Sequence, residues 1–385
     1  MWVGSTGGIC NVDVRAYDCS VGKRAAVTIS RPVFGGLDGN HRELQFPSRH
    51  IETGRDCGTV SAPASTKIAE NSLLPQVSHK LQKAIGDVAV ITAADIQAQL
   101  ANTGNFFSTV HHFECTPVSL PGKSTRGAAI TYSDLLERRT DFLQELRSSV
   151  CNWVYSKSKF KSMLETELAI RRGDFPNAAS YILELARAKF RKGYPQGQFG
   201  ELLLFNFLEH FFEAPPLLRK MPITTNSSVE RHGADAIHIG IVSDSPIIYI
   251  GEAKTYKSTY KFNKALEEAV ESVVKAHDRL QDELDLYVFD DFIELPFKKI
   301  AEQVKRNQIP YKVELVSIIA YTETNSCEAS CESDIKQRIQ AILQDRIKSI
   351  VPTLFSKLNP HLVARMHFFL LPFWGLDRLL QGFDQ

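Results

Sequence analysis

The pattern of apolar and polar positions changes character near residue 130. Residues 1–80 are rich in Gly, Ser, Thr and Pro, with short apolar pieces such as Ala25-Ala26-Val27-Thr28-Ile29. Short strands and loops are expected there. Val88-Ala89-Val90-Ile91 reads as a buried strand, and Thr92 as the N-cap of a helix from Ala93 to about Leu100. Phe106 to Phe113 reads as a further strand, and Pro117 to Gly127, with Pro121-Gly122 inside it, as a linker.

Beyond that point helical spacing dominates, from Ser133 to about Leu168, opened by a loose capping pattern, Ser133 then Glu137. Asp174 or Pro176 starts another helix, ending near Lys192-Gly193. Gly200 to Phe212 is a very apolar helix stopped by Pro215-Pro216. Two strands, Ala234–Val242 and Ile247–Lys254, flank a turn at Ser243–Pro246. An amphipathic helix (Phe262–Leu284), an apolar strand (Val313–Tyr321), a helix (Ser333–Ile350) and a last strand (Val363–Leu371) complete the pattern. The order predicts an α/β architecture, a mixed central sheet flanked by helices. It occupies 126–385, with a helical lead-in at 131–192, after a separate N-terminal region, 1–125, of short strands and loops with one helix.

Composition narrows the class. With 43% hydrophobic and 23% charged residues, the chain is neither disordered nor low-complexity. No run of about 18 apolar residues predicts a membrane span, and no basic segment followed by an apolar run predicts a secretory signal. The seven cysteines form no CxxC pair, so reduced thiols and a cytoplasmic location are expected. The net charge of +1 indicates no partner, so a nucleic-acid surface would have to be local. No GxxxxGK[ST] loop is present, so ATP hydrolysis by a P-loop would fall to another protein.

The chemistry concentrates in Gly233-Ala234-Asp235-Ala236-Ile237 and Tyr249-Ile250-Gly251-Glu252-Ala253-Lys254. Side chains alternate along a strand, so Glu252 and Lys254 share a face. If the two strands pair as a hairpin, Asp235 reaches the same end. Two carboxylates and an ammonium then converge where apolar strands end. Such charges are costly to bury unless a group such as a divalent cation compensates them. Mg²⁺, a hard ion held by one or two carboxylates with waters and phosphate, suits the set, with Mn²⁺ as a substitute. Lys254 would orient a water or stabilise charge on the phosphate. Glu201, in the first turn of the apolar helix, is a third acid.

Basic residues cluster at Arg187, Lys189, Arg191 and Lys192, and again at Lys257, Lys261 and Lys264, with Tyr256 and Tyr260 interleaved. Lys257 and Lys261 read as DNA contacts, with Tyr256 able to stack on unpaired bases. Arg187–Lys192 fits a solvated helix face equally well. Arg219-Lys220 reads as a loop pair that serves solubility, and His238, an odd number of residues from Asp235, as facing away from it.

Helical Glu201, then Asp235, a sixteen-residue gap, and Glu252-Ala253-Lys254 resemble the PD-(D/E)xK nuclease pattern of restriction-endonuclease-like folds. Residue 234 is Ala where that motif is named for Pro. More specifically, Gly200-Glu201-Leu202-Leu203, Gly233-Ala234-Asp235-Ala236-Ile237, Gly251-Glu252-Ala253-Lys254-Thr255-Tyr256 and the closing Phe368-Phe369-Leu370-Leu371-Pro372-Phe373 resemble the HamA family of the Hachiman antiphage system. The resemblance covers roughly residues 130–385. It implies a DNA nuclease paired with a superfamily-2 helicase, HamB, that restrains it and senses aberrant DNA. By motif, Asp235, Glu252, the Ala253 carbonyl and Glu201 would bind metal, and Lys254 would position the attacking water. The alternative is a non-catalytic subunit of the same fold that binds nucleic acid or the helicase. RNA as substrate stays open.

Overall fold

The computed structural model describes residues 91–115, 120–190, 193, 195–219, 233–243, 245–258, 262–287, 293–351 and 355–384. All of them lie in one compact unit, Asn71–Gln385. The expected strand at Val88–Ile91 falls almost wholly outside the described residues. Helix α1 (Ala93–Gln99) begins as expected, because the Asp95 amide donates to the Thr92 hydroxyl and the Thr92 amide donates to the Asp95 carboxylate.

The next stretch departs from expectation. In place of one strand over 106–113 there is a short helix, α2 (Gly104–Ser108), followed by strand β1 (Val110–Glu114). Phe106 and Phe107 both turn into the core, with ring centroids 5.0 Å apart. A helix allows that for adjacent residues, whereas a strand would send them to opposite faces. The second half of the expected linker is strand β2 (Ser124–Ile130). Its small residues mark close packing. A Cβ on Gly127 would lie 2.4 Å from both Phe113 and Leu343. The boundary drawn at 125/126 therefore falls inside a strand of the main sheet.

The helical lead-in divides. A small hairpin, β3 (Tyr132–Ser133) with β4 (Leu136–Glu137), stands where the first helix was expected to open. Then come α3 (Arg139–Ser148), α4 (Val150–Val154), α5 (Lys157–Ile170) and α6 (Phe175–Arg187), the last capped by Asp174 with Pro176 in its first turn. The apolar helix is α7 (Gln196–Phe212), one turn longer at its start than expected and ended by Glu213 in the left-handed region. After it come β5 (Pro216–Leu218), β6 (Ala236–Val242), β7 (Ser245–Tyr256), α8 (Phe262–Asp278), α9 (Leu280–Tyr287) and α10 (Lys298–Lys305). The chain closes with β8 (Lys312–Thr322), α11 (Glu332–Lys348), α12 (Pro360–Val363), β9 (Met366–Phe373) and α13 (Leu376–Asp384).

These strands build a seven-stranded mixed sheet in the order β1-β2-β9-β8-β7-β6-β5. The central strands β2, β9, β8 and β7 run parallel, while β1, β6 and β5 pair antiparallel at the edges. All eight residues of β9 are buried, as a strand covered by helices on both faces requires. One face, with Ile248, Ile250, Ile319 and Phe368, packs under α8 and α10. The other, with Ile247, Tyr249, Val316 and Phe369, packs under α3, α4 and α7. The expected α/β sheet with flanking helices is present. Among the described residues no helix is long and apolar enough to cross a membrane.

Helix α7 meets β7 through two glycines. A Cβ on Gly200 would lie 2.7 Å from the Thr255 hydroxyl, and one on Gly251 would lie 2.8 Å from Leu204. Gly200→Ala is expected to destabilise the fold by about 1–3 kcal/mol through overpacking, outweighing the ~1 kcal/mol that alanine gains in a helix. Urea unfolding checks this. A variant as stable as wild type would mean the helix can lift off the strand at no cost.

Candidate functional site

Two strands and one turn position the site. Strands β6 and β7 form an antiparallel hairpin in which Ala236 faces Gly251. Asp235 stands just before β6, so the same register carries it opposite Glu252. Ile237 and Ile250 share the face under α8, so alternation puts Asp235, Glu252, Lys254 and Tyr256 on that face as well. Gly251, Ala253 and Thr255 point to α7 instead.

The side chains bear this out. The Ala253 amide donates to Asp235 Oδ2 at 2.9 Å. Lys254 Nζ lies 3.5 Å from Glu252 Oε2, with the Glu252 side chain 6% exposed and that of Lys254 26% exposed. Burial, and then the charge of Asp235, push the Glu252 carboxyl well above the usual carboxylate range, against the pull of Lys254. A hydrogen bond with Asp235 raises it further. Ser317 of β8 is the register partner of Glu252 and is buried on the same face. It was not anticipated, although a serine interrupting the apolar run Val313–Tyr321 was its signal.

The other anticipated residues are placed as follows. Glu201 is half-buried in the second turn of α7, not the first, because the helix starts at Gln196. It follows Gly200 and so lies level with Ala253 and Thr255, on a helix packed against the opposite face from Glu252. The Tyr256 hydroxyl donates to Glu268 of α8. Exposed Lys257 pairs with Asp377 at 3.1 Å, and Lys264 pairs with Glu268 at 3.4 Å. Lys261, Tyr260, Arg191 and Lys192 lie outside the described residues. His238 is buried and its Nδ1–H donates to the Ala214 carbonyl, 2.7 Å away, on the α7 side. Burial pushes it down to about 3, so it stays neutral.

Among the described residues no group of three or more His, Cys, Asp or Glu side chains is arranged to hold a metal ion. The site offers two carboxylates and backbone oxygen. That is a donor set suited to Mg²⁺, which takes few protein ligands and keeps its waters. Two acids brought opposite each other by strand register are also what a cation relieves.

The pair makes a stability prediction. Glu252 carries a raised value in the fold, so it holds protons that the unfolded chain releases above its ordinary range. Stability from this group is therefore present at low pH and is lost as pH rises toward the raised value. Glu252→Gln, measured without divalent ions, should raise the melting temperature by about 2–6 °C at neutral pH, with a gap that widens on going alkaline. Melting curves across pH check it, and a variant less stable at every pH would contradict it.

Sequence reading missed a second charged cluster. Arg219 is not a solubility residue: it is 6% exposed, just after β5. Its guanidinium lies 3.4 Å from Glu294 Oε1 and donates to the Asn152 and Trp153 carbonyls. Glu294 also accepts from the Lys157 amide at 2.9 Å. Nearby Glu209 accepts from the Ala101 amide, and burial pushes it up to about 7. Edge strand β5 was too short to register in the hydropathy pattern, so the arginine that follows it looked like loop.

The HamA family profile matches residues 104–385. The match begins before residue 130, at α2, and takes in β1 and β2, in keeping with their place in the sheet. No curated protein matches the chain. With most of its length covered, from α2 through α13, the chain belongs to the HamA family, the family of the Hachiman antiphage defence system.

Proposed function

We propose that this chain is a divalent-metal-dependent DNA nuclease with a restriction-endonuclease-like core, acting in antiphage defence as the effector partner of a HamB-like helicase. The observation that carries the reading is the Asp235–Glu252 pair. Two carboxyl groups are pressed together on a buried face with Lys254 Nζ 3.5 Å from Glu252. Structural ion pairs place opposite charges together, and nothing in the packing of two apolar strands calls for two acids. Both the order α7-β5-β6-β7-α8-α9-α10-β8, a helix, a hairpin, helices and a parallel strand, and the family membership support it.

In this reading Asp235 and Glu252 would hold the metal, with the Ala253 carbonyl as a further ligand, while Glu201, on the helix against the opposite face, stands outside that set as placed. The metal, when bound, polarises the scissile phosphate and acidifies a water. Lys254 orients that water and balances the charge that builds on the phosphate oxygens. The water oxygen would give up a proton to solvent and bond to phosphorus, the bond to the departing strand end would break, and the leaving oxygen would take a proton from solvent. Lys257 and Lys261 take the flanking phosphates, and Tyr256 lies beside an unpaired base. Lys257 would exchange its exposed Asp377 partner for phosphate, at little cost.

The test is cleavage of supercoiled plasmid by the purified chain in Mg²⁺, alone and with its helicase and ATP, beside chelated controls. Metal-dependent cleavage in either setting supports the reading. Silence in both would favour a binding subunit of the same fold.

A further inference from the structure

A cavity of about 670 Å³ opens beyond the β5 edge, between α5, α6 and the start of α10, apart from the carboxylate site. None of Asp235, Glu252 and Lys254 lines it. Its walls come from the α4–α5 junction, the end of α6, the residue after β5 and the segment leading into α10. Its volume falls within the ~300–1,000 Å³ typical of small-ligand sites.

Its charge is one-sided. Lys159, Lys189, Arg219 and Lys298 line it, and no acidic side chain is among the described lining residues. Arg219 is the informative member. It is buried, and its Nε has no hydrogen-bond partner among the described residues. Glu294 and two carbonyls hold the other end of the guanidinium, so the arginine is fixed in place with donor capacity unmet. A buried donor left without a partner costs about 1–3 kcal/mol. That Nε is closed off from the cavity, so Arg219 would act on a bound anion through its charge rather than through this donor. The rest of the wall is apolar and aromatic: Tyr155, Met163, Leu185 and Leu295. Leu295 is 68% exposed, an apolar side chain left open at the rim.

Cations set against an apolar, aromatic wall suit a ligand with a phosphate at one end and a flat base at the other. We propose that this cavity binds a nucleotide phosphate: a base carrying one or more 5′-phosphates, either free or at the end of a DNA strand. Arg219 and the three lysines take the phosphate, and Tyr155 with the apolar wall takes the base. The proposal is independent of whether the carboxylate site cleaves DNA.

The experiment is titration calorimetry on the full chain in EDTA, which removes the metal that could itself attract phosphate. The injected probes are ATP, dAMP, a 5′-phosphorylated single-stranded trinucleotide and inorganic phosphate. A nucleotide or the trinucleotide should bind with one site per chain, more tightly than inorganic phosphate. Binding of the free nucleotides assigns a free ligand, whereas binding of the trinucleotide alone assigns a strand end. The double variant Lys159→Glu/Lys189→Glu should lose at least about tenfold in affinity, the Lys→Arg pair should keep it, and Glu252→Gln should bind as wild type. Lys159 is exposed and Lys189 only half-buried, so the reversals leave the core intact, and a melting curve checks this. Failure of every nucleotide probe to bind, or equal binding by the charge-reversed chain, would overturn the proposal.

Discussion

Glu252→Gln and Lys254→Ala should each remove metal-dependent cleavage, the first by about 10³-fold or more and the second by about 10²–10³-fold. Glutamine keeps the shape of Glu252 and a hydrogen bond to Asp235, but removes the negative charge that a cation needs. A 10³-fold loss corresponds to about 4 kcal/mol of transition-state stabilisation, within what one metal ligand supplies. The Lys254 side chain is 26% exposed, so truncation to alanine also removes buried stem, and melting curves separate that loss from the effect on rate. Because Glu252→Gln should melt higher than wild type without metal, the two readouts move in opposite directions. A merely structural pair would lose stability and activity together. Rates on a labelled duplex, with melting curves on the same preparations, check both.

Arg219→Met should cost about 3–5 kcal/mol, the largest stability effect of any single change proposed for this fold. The guanidinium lies 3.4 Å from Glu294 and donates to the Asn152 carbonyl, joining the segment after β5 to the end of α4 and to residue 294. Methionine fills much of the volume but leaves the Glu294 carboxylate buried, 3% exposed, with the Lys157 amide as its one remaining partner among the described residues. Glu209 behind it also loses a compensating charge. Adding Glu294→Gln to Arg219→Met should recover at least half of the loss, because the orphaned charge is then gone. Equilibrium urea unfolding of the single and double variants checks the pair. A single variant within about 1 kcal/mol of wild type would show that the cluster exchanges freely with water.

What was legible in the sequence tracks where one physical signal dominates. The hairpin of β6 and β7 combined long apolar runs with a turn, so its strands, their antiparallel pairing and the meeting of Asp235 with Glu252 all follow from period-two alternation. Helices α1 and α6 declared themselves through Thr92 and Asp174, whose side chains do cap them. The errors share a different cause. In β2 the residues Ser124-Thr125-Arg126-Gly127 look like linker because they are small, yet Gly127 is small because Phe113 and Leu343 press on it from other elements. Phe106 and Phe107 favour strand by propensity, and tertiary packing holds them in a helix. Arg219 looked like loop because burial of a charge depends on Glu294, seventy-five residues away in sequence. Contacts of that range leave no local trace. Ser317 lies between: its break in an apolar strand was visible, but its partner Glu252 was set by sheet register.

The central claim is that Asp235 and Glu252 share one divalent cation. Its most direct measurement is Mn²⁺ binding to the metal-stripped chain, followed by electron paramagnetic resonance, with wild type beside Glu252→Gln. One ion bound per wild-type chain, displaced by Mg²⁺ and lost in Glu252→Gln, is the predicted result. Equal binding by the two proteins, or none by wild type, would contradict it.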